Sequence, residues 1–214
     1  MIRLPAPKTR AIVADAGHPQ WDTLRAFIAD RFERAHGARI TVDYPRIAGL
    51  VTGGDGEILA AAGVRFAETG PLFLEQYLDA PIEAEVARVF DGAVSREMIV
   101  EIGSLASVHA TWSMQLFDGL PAWLAGVAGR RFAVATLRPE LARMLDRSGF
   151  GLRPIGEADP ARIGGGETWG DYYAAKPRIY AGRVSGGSAL GLMRERLRAR
   201  VMERQARRGA GASA

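Results

Sequence analysis

The residues best suited to chemistry lie in one apolar segment near the middle of the chain. Glu101 is the one charged residue in the run from Met98 to Ile102, whose other members are apolar and mostly β-branched. Such a run is typical of a buried strand, and a strand that ends in a loop can place a general base beside a substrate. The alternative is an edge strand whose glutamate faces solvent.

A second carboxylate, Glu75, stands in another apolar segment, from Leu72 to Leu78. A carboxylate in such surroundings either pairs with a cation such as Arg65 or has a raised pKa, and Glu75 is therefore the second catalytic candidate. The alternative is a short helix on which Glu75 faces solvent. Arg65 could bind a carboxylate or phosphate of a substrate, or it could form a salt bridge at the rim of a site.

Other polar and aromatic residues near these segments are candidates for binding a substrate. His109 follows the central strand by a short loop and could act as a base or proton shuttle, and Trp112 lies three residues beyond it. Tyr172 and Tyr173 could close one end of a pocket, where a tyrosine hydroxyl can protonate a departing thiolate. The alternatives are an ordinary loop histidine and aromatic core packing. Ser104 is not in a G-x-S-x-G sequence, so we do not expect a nucleophilic serine.

The composition excludes several classes of protein. The chain of 214 residues has no cysteine, which excludes disulfides, a thiolate nucleophile and zinc bound by cysteine. Its three histidines show no i, i+4 pairing, so we expect no metal site. No run of roughly eighteen apolar residues is present to span a bilayer, and the basic N-terminus lacks the apolar segment of a secretory signal. We therefore expect a cytoplasmic protein.

The positive charge is concentrated at the C-terminal end. The chain has 28 basic and 24 acidic residues, and eight of its arginines lie between Arg183 and the C-terminus, together with two glutamates. The spacing of apolar residues in Ser188–Arg208 predicts a basic helix with a narrow apolar stripe. An acidic partner would suit this helix. An anionic membrane surface, nucleic acid and plain solvent are the alternatives, and nothing else in the sequence favours nucleic acid.

Hydrophobic periodicity predicts the elements that must position these residues. An amphipathic helix ends at Gly37, and Arg39–Val42 follows as a short strand. A β-hairpin then spans Pro45–Phe66, and the small residues of Ala60–Gly63 indicate that another group packs close against that backbone. Later elements are helices at Pro81–Phe90, Ser113–Ala128 (interrupted by Pro121) and Pro139–Ser148, and strands at Arg131–Thr136, Phe150–Ile155 and Pro177–Val184. This order predicts one α/β (α+β) domain with a mixed sheet over residues 1–184, followed by the basic tail 185–214.

One part of this pattern resembles the GNAT acyltransferase superfamily. A strand that ends in Val134–Thr136, a helix with Leu141 and Leu145, and then Gly149 and Phe150 are similar to the common ending of that fold. The resemblance implies a mixed, largely antiparallel central sheet flanked by helices.

Three longer strings of the chain are GPLFLEQYLDAPIE at residues 70–83, IVEIGSLA at 99–106 and WGDYYAAKP at 169–177. In sequence and in order they resemble strings of the bacterial thermostable hemolysin family. The family's name implies membrane lysis, whereas the fold assigned to it is acyltransferase-like.

The chain is also similar to acyl-homoserine-lactone synthases, which take an acyl group from acyl carrier protein. The stretch from Arg65 to Leu74 is similar to their arginine followed by a Thr-x-Pro segment and an apolar run. Their central strand carries a glutamate three residues before an arginine, and here Glu101 is followed at that spacing by Ser104. The missing arginine puts recognition of their particular acceptor in doubt.

The GNAT resemblance implies roles for residues of the central strand. Glu101 would act as the base, directly or through a water molecule, and backbone amides near Gly103 and Ser104 would stabilise the oxyanion. The backbone of the strand would pair with the pantetheine arm of the donor, so the residues expected to bind it are Ile102, Gly103 and Leu105. The residues expected to bind a substrate are Arg65, Ser104, His109, Trp112, Tyr172 and Tyr173.

The donor is expected to be a thioester rather than a tightly bound cofactor. The GNAT diphosphate loop, [RQ]-x-x-G-x-[GA], is absent from Leu105–Ala110, which favours an acyl carrier protein over acyl-CoA. Its acidic surface would suit the basic C-terminal helix. We expect transfer of a medium or long acyl chain to a small amine or amino acid. The alternatives are a non-catalytic membrane-active protein, with peripheral membrane contact, and a catalytically dead GNAT fold that serves as a binding module.

Overall fold

The computed structural model describes residues 8–126, 129–147 and 150–184, which form one seven-stranded sheet with four α-helices. The elements in chain order are β1 (Thr9–Ala14), α1 (Trp21–His36), β2 (Arg46–Thr52), β3 (Ile58–Phe66), α2 (Ile82–Val89), β4 (Ile99–Ser107), α3 (Ala110–Gly126), β5 (Phe132–Leu137), α4 (Pro139–Arg147), β6 (Arg153–Glu157) and β7 (Arg178–Arg183). The predicted basic helix of the tail lies outside the described residues. None of the described helices is both long enough and apolar enough to cross a bilayer.

The sheet is mixed and mostly antiparallel. Its strand order is β1-β2-β3-β4-β5-β7-β6, and β4 with β5 is the one parallel pair. This confirms the predicted GNAT-like architecture, including the hairpin formed by β2 and β3. Two local predictions were wrong. Residues 39–42 are not a strand, and β1, which the sequence pattern did not reveal, forms one edge of the sheet.

The parallel strands β4 and β5 separate part-way along their length. They pair only through Ile99–Glu101 and Phe132–Val134, although β4 continues to Ser107 and β5 to Leu137. Beyond Glu101 the backbone amides that would have faced β5 have no strand partner there. Both strands lead almost directly into helices, α3 and α4, so the two helix N-termini lie at the same end of the gap.

A β-bulge bends β4 just after Glu101. The register with β3 passes from Gly63 opposite Gly103 to Ala61 opposite Ala106, so that two residues of β4 face one of β3. Ser104 accommodates the bulge with a φ of 47°, in the left-handed region that non-glycine residues seldom adopt. Bulges increase the local twist of a strand and redirect its side chains.

Different helices cover the two faces of the sheet at β4. Alternation of side chains sends Ile102 to the core beneath α3 and α4, while Ile99 faces the core beneath α2. The helix α1 packs on the same face as α2 through Leu24, Ile28 and Phe32, which confirms the predicted apolar stripe. Glu101 therefore projects to the face shared by α1 and α2.

Candidate active site

A cleft of about 470 Å³ opens beside β4 where that strand leaves β5. Four parts of the fold enclose it. They are the C-terminal half of α1, the strand β4 from Glu101 onward with the start of α3, the end of β5 with the start of α4, and the aromatic segments around Phe73 and Trp169. The cleft thus runs from the two helix N-termini to an aromatic wall.

Glu101 lies inside this cleft and is only 2% exposed. Its Oε2 accepts a hydrogen bond from the backbone N–H of Phe73 at 2.9 Å, and its Oε1 accepts one from Leu74 at 3.1 Å. Burial raises the pKa of Glu101 to about 7, although the two amides and the charge of Arg65 act in the opposite direction. A carboxyl group with this pKa can take up and release a proton near neutral pH.

The two amides come from the start of a 3₁₀ turn, Phe73–Tyr77. The first amides of a helical turn have no acceptor within the turn and need one elsewhere. Here the carboxylate of Glu101 supplies it. The apolar neighbours of these amides, Leu72 and Leu74, are buried in the core beside α2, so the segment is held against the sheet.

Arg65 is the direct cross-strand neighbour of Glu101 on β3, but it does not line the cleft. Its guanidinium donates to the backbone oxygen of Asp43, to the Asp43 carboxylate at 3.2 Å and to the backbone oxygen of Pro71 at 3.3 Å. Arg65 thus joins two loops behind Glu101. Its predicted contact with a substrate stays a prediction, and these contacts give it a second role in positioning those loops.

Tyr44 is a cleft residue that the sequence reasoning missed. Its ring crosses β3 and β4 at two glycines, because a Cβ on Gly63 would come within 2.2 Å of the ring and one on Gly103 within 1.9 Å of the hydroxyl. The hydroxyl bonds the side chain of Ser104. Burial, followed by the charge of Glu101, raises its pKa well above the usual value, so it keeps its proton. The small residues of β3 were the signal, since they predicted a close neighbour but not its identity.

An aromatic wall faces β4 across the cleft. It is built by Phe32, Phe73, Tyr77, Trp169 and Tyr172, with ring centroids 5.6 Å apart for Phe73 and Trp169 and 5.4 Å apart for Trp169 and Tyr172. Tyr172 lines the cleft as expected of a substrate-binding residue. Tyr173 stands behind the wall, where its hydroxyl bonds the hydroxyl of Tyr77 at 2.5 Å.

The predicted residues of β4 and its loop do meet at the cleft. Ile102, Gly103, Ser104, Leu105 and His109 all line it. His109 Nδ1 bonds the hydroxyl of Thr111 at 2.9 Å and accepts from its backbone N–H at 3.2 Å, so the ring caps the start of α3. Trp112 does not line the cleft and packs instead against the core under α3.

Glu75 lies outside the cleft lining, and its partner is Arg96 rather than Arg65. The guanidinium of Arg96 donates to Glu75 Oε1 at 2.7 Å and to Oε2 at 3.0 Å. Burial raises the pKa of Glu75, but Arg96 and two backbone amides outweigh burial and bring the pKa below its usual value. Glu75 is therefore ionised at neutral pH, and its predicted catalytic role is not one that this geometry favours.

Within the described ranges, no group of three or more histidine and acidic side chains is arranged to hold a metal ion. Polar groups that line the cleft include the carboxyl of Glu101, the hydroxyls of Tyr44, Tyr77 and Tyr172, and backbone amides of β4 that have no partner in β5.

The family profile of thermostable hemolysins matches residues 14–188. The chain belongs to the thermostable hemolysin family. This confirms the resemblance carried by the three sequence strings, and the match includes every element that builds the cleft. A comparison of this hemolysin-family chain with curated protein sequences finds no significant match.

Solved structures with the same fold are synthases and acyltransferases. The acyl-homoserine-lactone synthase LasI superposes with a TM-score of 0.58 at 11% identity, over 87% of this chain and 95% of LasI. FeeM, an N-acyl amino acid synthase from uncultured soil microbes, gives 0.57 at 16% identity, over 84% and 92%. BjaI, a CoA-dependent acyl-homoserine lactone synthase solved with SAM and isopentyl-CoA, gives 0.55 at 14% identity, over 84% of each chain. At these identities the likeness establishes the GNAT-like fold.

The ring of Tyr44 lies against Gly63 and Gly103. We therefore expect two glycine-to-alanine changes, one under this ring and one in open space, to change the free energy of unfolding in opposite directions. Gly103→Ala should lower the free energy of unfolding by about 1–3 kcal/mol, because its Cβ overlaps the Tyr44 hydroxyl and ring. Gly119→Ala, in open space on α3, should raise it by about 0.5–1 kcal/mol through helix propensity. Urea unfolding followed by circular dichroism measures both. Equal stability of the two variants would show that Tyr44 does not lie across β4.

Proposed function

We propose that this protein is an N-acyltransferase that moves an acyl group from a carrier thioester to an amine. The observation that carries the proposal is the buried carboxyl of Glu101, which lines a cleft at the point where β4 and β5 separate and whose pKa is about 7. Such a group is a base at neutral pH and can accept the proton that an attacking amine must lose. The names of the solved structures that share the fold support this reaction class.

In the proposed reaction the amine nitrogen attacks the thioester carbonyl while Glu101 takes its proton. A C–N bond forms, the C–S bond breaks, and the thiolate leaves and is protonated. The carbonyl oxygen would accept hydrogen bonds from free β4 amides near Ser104 and from the hydroxyl of Tyr44, which remains protonated. Tyr172 is the candidate acid for the thiolate, since its hydroxyl belongs to the lining of the cleft and is protonated at neutral pH, although burial raises its pKa and so makes it a weaker acid.

The donor would enter along the gap between β4 and β5. The pantetheine arm carries amides, and the free backbone groups at Ile102, Gly103 and Leu105 suit them. The N-termini of α3 and α4 lie at the outer end of the gap, where their dipoles favour a phosphate, and Arg138 lines the same end. A phosphopantetheine thioester, on acyl carrier protein or in CoA, fits this arrangement.

The acyl chain would pass between the separated strands into an apolar pocket on the other face of the sheet. That pocket shares Ile102, Phe117 and Leu137 with the cleft, and further apolar side chains of α3, α4, β5 and β7 complete its lining. This pocket has a volume of about 50 Å³, so burial of methylene groups there would favour an acyl chain longer than acetyl, and the rest of a medium or long chain would have to lie in the 470 Å³ cleft.

The acceptor would lie on the side of Glu101 that faces the aromatic wall. Phe73, Trp169 and Tyr172 line the cleft there, and the π faces of such rings can attract an ammonium group before it is deprotonated. Among the described residues, Val108 is the one large apolar side chain that is exposed, so no described surface favours the alternative of a membrane-active protein.

Glu101→Gln should slow thiol release from acyl-carrier-protein or acyl-CoA thioesters, incubated with pooled amines, by at least about tenfold. The amide cannot accept the proton, yet its size preserves the packing. Glu157→Gln, an exposed change at the end of β6, is the matched control and should leave the rate unchanged. An unaltered rate in Glu101→Gln would remove Glu101 from the mechanism.

The pH profile should report the same carboxyl group. Because the base is active when deprotonated, kcat/KM for the wild type should rise with pH and level off above a midpoint near 7, the pKa that burial gives Glu101. Stopped assays between pH 5 and 9 measure this limb. A midpoint near 4.5, typical of an exposed glutamate, would contradict the assignment.

The arginine-rich sequence of residues 185–214 should distinguish the two donors. Its deletion should raise the KM for an acyl carrier protein donor, more strongly at low salt than at high salt, and should leave the KM for acyl-CoA unchanged. Steady-state rates with both donors at two ionic strengths measure the effect. Equal losses with both donors would show that the tail does not recruit the carrier protein.

A further inference from the structure

The orientation of Glu101 depends on a segment that regular secondary structure does not hold in place. Both of its carboxylate oxygens are bonded to amides of residues 73 and 74, between β3 and α2. Two amides that donate hydrogen bonds to one carboxylate limit its rotation and favour its charged form. Whatever holds this segment also holds the base.

Glu75 holds the segment from within. Its Oε2 accepts from the backbone N–H of Leu72 at 2.8 Å, which closes the turn on itself, and its Oε1 accepts from the N–H of Ile82 at 3.2 Å, at the first residue of α2. The carboxylate side chain is 18% exposed, so solvent screens these contacts only in part.

Arg96 holds the segment from the side of β4, five residues before Glu101. Its guanidinium bonds both oxygens of Glu75, and it reaches Glu83 Oε2 at 3.1 Å. Its Nε donates to the backbone oxygen of Ala67 at 2.9 Å, and its Nη2 donates to that of Gly70 at 3.0 Å. All five N–H donors of an arginine therefore have acceptors, and four of the five contacts go to residues 67–75.

We propose that Arg96 and Glu75 are positioning residues, whose ion pair holds residues 70–75 so that the amides of Phe73 and Leu74 fix the carboxylate of Glu101 in the cleft. Neither side chain lines the cleft, so both act through Glu101 and not on a substrate. This inference rests on the proposed function of Glu101 as the base. It assigns to Glu75 a role different from the catalytic one that its sequence context suggested.

The charges around Glu101 give the direction of the effect. Arg65 faces it from β3, Tyr44 from the loop before β2 and Glu75 from the 3₁₀ turn, while His36 and Tyr172 line the same cleft. Removing Arg96 loosens the two amides and leaves the negative charge of Glu75 without its partner. Both changes disfavour the charged form of Glu101, so its pKa should rise.

The test compares Arg96→Met with Arg130→Met in the full chain. Arg130 is more deeply buried than Arg96, and it pairs with Glu68 and bonds the backbone oxygen of Glu97. It makes no hydrogen bond to residues 70–75, so its loss controls for general destabilisation. In ¹³C NMR titrations of the glutamate carboxyl carbons, Arg96→Met should move the Glu101 midpoint up by at least half a pH unit. Arg130→Met should leave it in place. The acid limb of kcat/KM should move by the same amount.

The NMR titration separates the two proposals, because it needs no substrate. An unmoved Glu101 midpoint in folded Arg96→Met overturns the positioning role, whatever the activity. A moved midpoint in a protein without acyl transfer supports the positioning role and counts against the proposed function. If Arg96→Met does not fold, the same titration is made with Arg96→Lys. The lysine ammonium has three N–H donors for the five acceptors that Arg96 bonds, so it can hold the segment only in part. A smaller upward shift is expected, and a midpoint equal to that of the wild type overturns the inference.

Discussion

The burial of one carboxyl group between a sheet and two backbone amides is the interaction on which the rest of the site depends. Removing Glu101 from water disfavours its charge, and the amides of Phe73 and Leu74 recover part of that loss. The balance leaves a group that can exchange a proton near neutral pH. Additional amides would lower its pKa further, and loss of the two amides would raise it.

The shape of the sheet gives this group access to a substrate. The strands β4 and β5 part directly after Glu101, and the bulge at Ser104 bends β4 away, so a cleft begins where the carboxyl lies. Tyr44 can cross the sheet at this point only because Gly63 and Gly103 have no side chains. Backbone geometry and side-chain volume thus bring a carboxyl group of raised pKa, a hydroxyl and unpaired amides together.

Two arginines connect loops around the site. Arg65 joins the loops at Asp43 and Pro71, and Arg96 joins the segment at Glu75 to the start of β4. The pair of Arg96 and Glu75 is partly buried, so its attraction is less screened than at the surface and loss of one partner would leave an uncompensated charge. In the pair of Arg65 and Asp43 the carboxylate is exposed, so solvent screens that attraction. These loops are not paired to a strand, and arginines with several N–H donors bond their backbone oxygens and carboxylates instead.

The sequence by itself predicted the family, a buried carboxyl at Glu101 and most of the order of elements, although it missed β1, because hydrophobic period and local strings depend on neighbours along the chain. It also showed through the small residues of Ala60–Gly63 that something packs against β3. Only the tertiary structure decided that Tyr44 is that group, that Glu75 pairs with Arg96, and that Trp112 and Tyr173 stand outside the cleft. Glu75 and Arg96 are 21 residues apart in the sequence, and they pair because their two loops meet above the sheet. No local pattern encodes such a meeting, since it follows from the register and splitting of strands that are distant in sequence.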